Sequence, residues 1–227
     1  SGTQQTILDI HSAGAAVAPH LSFGGDQDAE IRTLLQTYQQ AGIRRVVALR
    51  GDVPSGLGGR SQLRYANELV TFIRNETGDH FHIEVAAYPE IHPESRSVED
   101  DLRYFRQKVD AGANGAITQY FYNADAYFRY VDLCRARDIN IDIVPGIMPI
   151  TNYQNLKRFS DGCGAEIPRW MRQQMESCGD DSEALLAFGI ETVTRLCERL
   201  LAGGAPGLHF YTLNQVEPVG QILRNLG

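Results

Sequence analysis

Six times along the 227-residue chain, a short apolar run gives way to a polar loop and then to an amphipathic stretch with helical spacing. No other feature constrains the fold as tightly. Strict strand–helix alternation requires right-handed βαβ crossovers and a parallel sheet, which leaves an open doubly wound sheet or a (β/α) barrel. Strands are expected over residues 15–23, 44–52, 81–89, 115–122, 139–149 and 207–213. Helices are expected over 1–12, 28–41, 62–75, 97–111, 124–137 and 181–201, with a terminal helix after the last strand. From Thr151 the pattern is helical, interrupted at Gly162-Cys163-Gly164 and Pro168. The clearest strand is Val46-Val47-Ala48-Leu49, unbroken and largely β-branched, as a strand covered on both faces should be.

Two observations choose between the architectures. No Gly-x-Gly-x-x-Gly joins the first strand to its helix, which speaks against the dinucleotide-binding open sheet. Polar or ring-bearing residues stand at the carboxyl end of nearly every strand: His20, Arg50 with Asp52, Tyr88 with Glu90 and His92, Gln119 and Asn214. Barrels build their catalytic face from all strand ends together, so the pattern favours a barrel, although a barrel needs eight strands and six are visible.

The stretch Arg50-Gly51-Asp52 leads into the Gly-rich loop Ser55-Gly56-Leu57-Gly58-Gly59, and opposite charges flanking a glycine at a strand end point to a site. An Arg–Asp pair that merely closes the strand end is the plainer alternative. The loop Tyr88-Pro89-Glu90-Ile91-His92-Pro93-Glu94 holds two acids and an imidazole between two prolines; it suits either a ligand-holding loop or a capped turn into the helix at Ser97. Gln119 reads equally as a polar lining residue with its amide satisfied internally, and Phe159 as core. No Ser or Cys stands in a nucleophile-elbow context, so these residues suggest a cofactor site rather than a triad.

Composition narrows the partners. A net charge of −7 argues against nucleic acid and anionic membrane, and the only lysines are Lys108 and Lys157. Cys134, Cys163, Cys178 and Cys197 are widely spaced, as free thiols of a reducing compartment would be. His80 and His82 lie two apart without a nearby third ligand, so no metal is expected. No apolar run reaches membrane-spanning length and the first residues lack a signal pattern, so a soluble cytoplasmic protein is expected.

Seven segments together resemble methylenetetrahydrofolate reductase: Ala18-Pro19-His20-Leu21, Val47-Ala48-Leu49-Arg50-Gly51-Asp52, Ala86 to Pro93, Lys108-Val109-Asp110-Ala111-Gly112-Ala113, Ile117-Thr118-Gln119, Pro145-Gly146-Ile147-Met148-Pro149, and Leu208 to Asn214. They occur in order and span nearly the whole chain. The resemblance implies a flavin-bearing (β/α)8 barrel that reduces 5,10-methylenetetrahydrofolate to 5-methyltetrahydrofolate. Hydride passes from NADH or NADPH to FAD and then to the folate, in ping-pong order. It implies FAD contacts at His20, Arg50, Gly51, Asp52, Tyr65, Ala66, Tyr88, His92, Asp101 and Lys108, with Asp52 near the flavin ring and the pterin, tuning hydride release. Gln119 and Phe159 match substrate-contacting positions. Family members are usually homo-oligomers.

Two departures accompany the resemblance. Gln215 replaces an arginine that some relatives carry after Leu-Asn, which puts a charge contact to substrate in doubt. The family's first two βα units, roughly 60 residues in a typical barrel, and the general-acid glutamate they carry, have no counterpart in these residues. The chain is therefore expected to form one catalytic barrel domain, 1–227, with about six βα units. A catalytically silent flavin- or folate-binding barrel is the alternative, and an unrelated barrel lyase with a phosphate site at Gly56–Gly59 is a second.

Overall fold

In the computed structural model, which describes residues 2–22, 28–50 and 65–227, the apolar runs become strands and the amphipathic stretches helices. In chain order these are α1 (Gly2–Ser12), β1 (His20–Ser22), α2 (Asp28–Gln40), β2 (Arg45–Leu49), α3 (Ala66–Thr77), β3 (His82–Ala87), α4 (Val98–Asp110) and β4 (Gly115–Thr118). There follow α5 (Ala124–Arg135), β5 (Asp142–Val144), β6 (Gly146–Ile147), α6 (Tyr153–Cys163), α7 (Arg169–Ser177), α8 (Ser182–Ala202), β7 (His209–Phe210) and α9 (Val219–Leu226). The strands hydrogen-bond in the order β1-β2-β3-β4-β5 in one sheet and β6-β7 in a second. The chain forms two compact units, one of Ser1–Ala86 with Tyr104–Ala116, the other of Ala87–Arg103 with Ile117–Gly227.

In the first unit β1 and β3 flank β2 in parallel register, with His20 opposite Val47 and Val47 opposite Glu84. Side chains alternate between the two faces of a strand, so Val46 and Ala48 of β2 share a face with Ile83 and Val85 of β3. All four are fully buried. The helices supply matching stripes: Ile31, Leu35 and Tyr38 on α2, and Leu69, Val70 and Ile73 on α3. The Arg74 guanidinium of α3 donates to the carbonyls of Gly78, Phe81 and Gly112 and to Asn114 Oδ1, an atom that also accepts from the Ile83 N–H. One side chain thus satisfies several backbone acceptors at the amino ends of β3 and β4, and its burial lowers the guanidinium pKa.

The other face of β3 carries His82 and Glu84. Glu84 is 6% exposed, and its Oε1 accepts from His82 Nε2 at 2.9 Å and from Arg45 Nη1 at 3.3 Å. Its Oε2 has no hydrogen-bond partner among the described residues and lies against Gly115, where a Cβ would overlap it. His80, two residues before His82, donates from Nε2 to the Ile43 carbonyl and accepts from Arg44 at Nδ1. The histidines therefore act in separate structural contacts.

The second unit is organised around Thr118, which is fully buried at the end of β4. Its Oγ1 accepts from the Gly146 N–H at 2.9 Å, and its carbonyl accepts from the Tyr211 hydroxyl at 2.8 Å. Gly146 is required there, because a Cβ would overlap the Thr118 carbonyl oxygen and crowd the Tyr211 ring. Helix α8 begins at the Asp181 cap, whose carboxylate accepts from the Glu183 and Ala184 N–H groups. Its buried Gly189 passes close to the backbone of Ile150.

Several strand boundaries differ from the sequence expectation; the strand expected over 115–122 ends at Thr118. The first strand is confined to His20–Ser22, because Ala15 to Ala18 are mostly exposed and Pro19 contributes only its carbonyl, which accepts from the Val47 N–H. His20 consequently opens β1 instead of closing it. The strand expected over 139–149 divides at Pro145, which has no N–H to give to a ladder, into β5 of one sheet and β6 of the other. The last strand keeps only His209 and Phe210, because Leu213 and Asn214 take the left-handed conformation, with φ of 49° and 60°. Seven short strands are thus described where six were expected.

Candidate functional site

In the first unit, Arg50 immediately follows β2 and Tyr65 stands at the start of α3. The Arg50 guanidinium lies 5.8 Å from the centre of the Tyr65 ring, a cation–π distance, and that ring is 61% exposed. Glu68 fixes the helix start by accepting from the Tyr65 N–H at 2.8 Å, and Ala66 opens the helix. Lys108, on α4, donates from Nζ to the Ala86 carbonyl and sits 5.6 Å from the Phe105 ring centre. The His20 ring remains at the surface, yet the protein around it disfavours its charged form and lowers its pKa. Gly51, Asp52 and the Gly56–Gly59 loop lie outside the described residues.

In the second unit, the loop after β3 is built as a rigid turn. The Tyr88 and His92 rings meet edge to face, centroids 4.5 Å apart at 87°. His92 Nδ1 accepts from the Glu94 N–H at 3.0 Å, which leaves Nε2 as the ring's donor. The buried Asp101 carboxylate, on α4, gathers the loop by accepting from the His92 N–H at 3.3 Å and the Ser95 hydroxyl at 2.8 Å. Ser97 caps α4 by accepting from the Asp100 N–H. The loop is therefore both a capped turn and a held array of rings.

Gln119 follows Thr118 and continues along the end of β3 by donating its N–H to the Ala87 carbonyl at 2.8 Å. Its side-chain Oε1 accepts from the Tyr120 N–H at 3.1 Å, while Nε2 has no partner among the described residues. A half-buried amide with a donor to offer can bind a carbonyl or ring nitrogen. Next to it, the Tyr120 hydroxyl and Ser160 Oγ are 2.9 Å apart, which ties β4 to α6. Burial holds the Tyr120, Tyr122 and Tyr211 hydroxyls above the usual phenol value, so they remain protonated donors.

Phe159, on α6, is 41% exposed and stacks under the Arg158 guanidinium at 5.5 Å, so it is a surface-presented ring and not core. Gln215 lies in the exposed turn after β7, its N–H donating to the Thr212 carbonyl. The structure thus brings Arg50 and Tyr65 together in one unit, and Tyr88, His92, Asp101 and Gln119 in the other. It adds Glu90, whose Oε2 accepts from the Glu166 N–H at 2.8 Å and whose burial raises its pKa. Only the glycines at 162 and 164 hinted that the chain turns back at that point.

Parallel strands joined by helices define an α/β protein; in one unit Arg50 and Tyr65 follow β2, and in the other Tyr88, His92 and Gln119 follow β3 and β4. Residues 3–227 match the family model described as methylenetetrahydrofolate reductase. The chain is 42% identical over 214 residues to 5,10-methylenetetrahydrofolate reductase of Escherichia coli strain K12, covering 94% of this chain and 71% of that protein. It is 40% identical over 221 residues to methylenetetrahydrofolate reductase (NADH) 1 of Arabidopsis thaliana, covering 92% of this chain and 37% of that one. Among solved structures, an uncharacterised Clostridium thermocellum protein described as binding two copies of 5-methyl-5,6,7,8-tetrahydrofolic acid shares the fold. Its TM-score is 0.51 at 18% identity, over 98% of this chain and 86% of that one. The chain belongs to the methylenetetrahydrofolate reductase family and is an oxidoreductase.

Proposed function

We propose that this protein reduces 5,10-methylenetetrahydrofolate to 5-methyltetrahydrofolate with NADH or NADPH, using FAD, in a (β/α)8 barrel that works as one cytoplasmic, homo-oligomeric domain. The observation that carries the reading is the Tyr88–His92 ring pair with the Gln119 amide alongside. Family membership supports the substrate, and the Arabidopsis relative's name supports NADH as a donor.

The residues present fit a flavin dinucleotide. Arg50 is a cation suited to a diphosphate, backed by the Tyr65 ring, and the Tyr88 and His92 rings offer apolar edges with an Nε2–H donor. In this reading Arg50, Tyr65, Ala66, Lys108, His20 and Gly51 hold FAD, with Tyr88, His92 and Asp101. By the family resemblance Asp52 would add a negative charge to this site. When bound, FAD supplies hydride transfer between dinucleotide and folate. Gln119 Nε2 donates to the pterin, Phe159 packs against it, and Gln215 offers a neutral contact where an arginine would offer a charged one.

The test is product formation. Protein supplied with FAD, NADH and 5,10-methylenetetrahydrofolate should release 5-methyltetrahydrofolate, read by mass spectrometry. Tight binding of FAD and folate without product would favour a silent binding protein instead.

A further inference from the structure

Glu90 joins two parts of the second unit that carry different ligand-facing residues. It belongs to the Tyr88–His92 loop, and its partner Glu166 lies in the connection between α6 and α7. The two segments also touch at a second point. Gly164 closes α6 with φ of 75°, and a Cβ there would come to 3.0 Å from Pro93 Cγ. Between Glu90 and Pro93, Ile91 holds a φ of 73°, a conformation that β-branched residues adopt only when their surroundings impose it. Helix α6, which presents Phe159, is then pinned in its last turn, by Ser160 on Tyr120 next to Gln119, and just past its end, by the Glu166 N–H on Glu90.

We propose that Glu90 is a positioning residue that locks the Tyr88–His92 loop to the α6–α7 connection and so sets the placement of Phe159 relative to Gln119. The inference rests on the folate reading given above. Glu90 acts here as a hydrogen-bond acceptor; burial and the Glu166 charge raise its pKa, and the bond from the Glu166 N–H opposes that rise. Tyr120 also faces it, with Cys163 of α6 beside Tyr120, and His92 is on its own loop. A carboxyl group in either protonation state and an amide can accept from the Glu166 N–H through an oxygen, whereas an apolar side chain of similar size cannot.

That difference gives the experiment. In flavin-loaded protein, Glu90→Leu should weaken equilibrium binding of 5-methyltetrahydrofolate about tenfold, as loss of one hydrogen bond implies. Asp101 holds the loop through the His92 N–H and the Ser95 hydroxyl without Glu90, so flavin content and the rate of bleaching by NADH should stay within about twofold of the parent. Glu90→Gln should restore binding to near the parent value, and Gly164→Ala, which pushes the connection off Pro93, should weaken folate binding in the same direction. A Glu90→Leu protein that binds folate as the parent does overturns the proposal, as does one in which flavin binding and bleaching fall with folate affinity. A Glu90→Gln protein as impaired as Glu90→Leu overturns it too, because the acceptor would then not be what matters. A parent that binds flavin but no folate refutes the functional reading itself, which the variants alone cannot do.

Discussion

The Tyr211 hydroxyl donates to the Thr118 carbonyl across 2.8 Å, one residue before Gln119. Thr118 has no freedom left: its hydroxyl is engaged by Gly146, its side chain is fully buried, and its carbonyl is held from β7's end. Gln119 therefore starts from a fixed backbone. Tyr211→Phe removes one buried hydrogen bond and leaves a carbonyl unpaired, so it should cost about 1–3 kcal/mol of stability. Denaturant midpoints measure that loss, and folate affinity should fall with it, while a midpoint equal to the parent's would remove Tyr211 from this role.

Gln119 has one half of its amide committed and the other available. Gln119→Leu should weaken folate binding by about tenfold, the worth of one hydrogen bond, and leave FAD content unchanged. Absorbance of the purified variant and a folate titration decide this. Loss of FAD instead would mean that the amide belongs to the cofactor.

Gly115 leaves room for the Glu84 carboxylate, and Glu84 Oε2 is already without a partner among the described residues. Gly115→Ala should force the carboxylate aside and strain its bonds to His82 and Arg45. The expected loss is about 1–3 kcal/mol, typical of overpacking a filled interior. A urea midpoint within error of the parent would show that the strand shifts freely.

Alkaline pH should destabilise the protein through groups it keeps neutral. Burial pushes the Cys134 thiol up to about 11, and the Cys197 thiol and the Tyr127 and Tyr211 hydroxyls up to about 12. Each is raised above its unfolded value, so the unfolded chain releases protons first. Their stabilisation is complete below about pH 9 and is lost as pH rises towards 11–12, at roughly 1.4 kcal/mol per pH unit for each thiol within its window. Unfolding midpoints at pH 8, 9.5 and 10.5 should fall progressively, and Cys134→Ala with Cys197→Ala should flatten the decline. A flat profile in the parent would contradict the buried-thiol account.

The strands that could be read in the sequence were those whose chemistry is local. Val46, Val47, Ala48, Ile83, Val85 and Ala87 are β-branched or small and buried, and Ile31, Leu35 and Tyr38 repeat at helical spacing. Where pairing depends on distant partners the reading failed. Pro145 looked like a residue within one strand, because nothing nearby shows that Gly146 must leave β5 and press against Thr118. In the site, the stiffness of the Tyr88–Glu94 loop was legible from its prolines, and the Asp101 position was named through the family resemblance. The Glu90 contact with Glu166 spans 76 residues and carries no local signal. Phe159 was ambiguous for the same reason, since only the fold decides whether a ring on α6 faces inward or out.

The measurement that bears most directly on the reading as a flavin-dependent reductase is an anaerobic visible spectrum of the purified protein. It is recorded before and after NADH, and again after 5,10-methylenetetrahydrofolate. The account predicts a flavin band that bleaches with NADH and returns with the folate. A colourless protein that takes up no FAD, or a flavin band that neither donor nor folate changes, would contradict it.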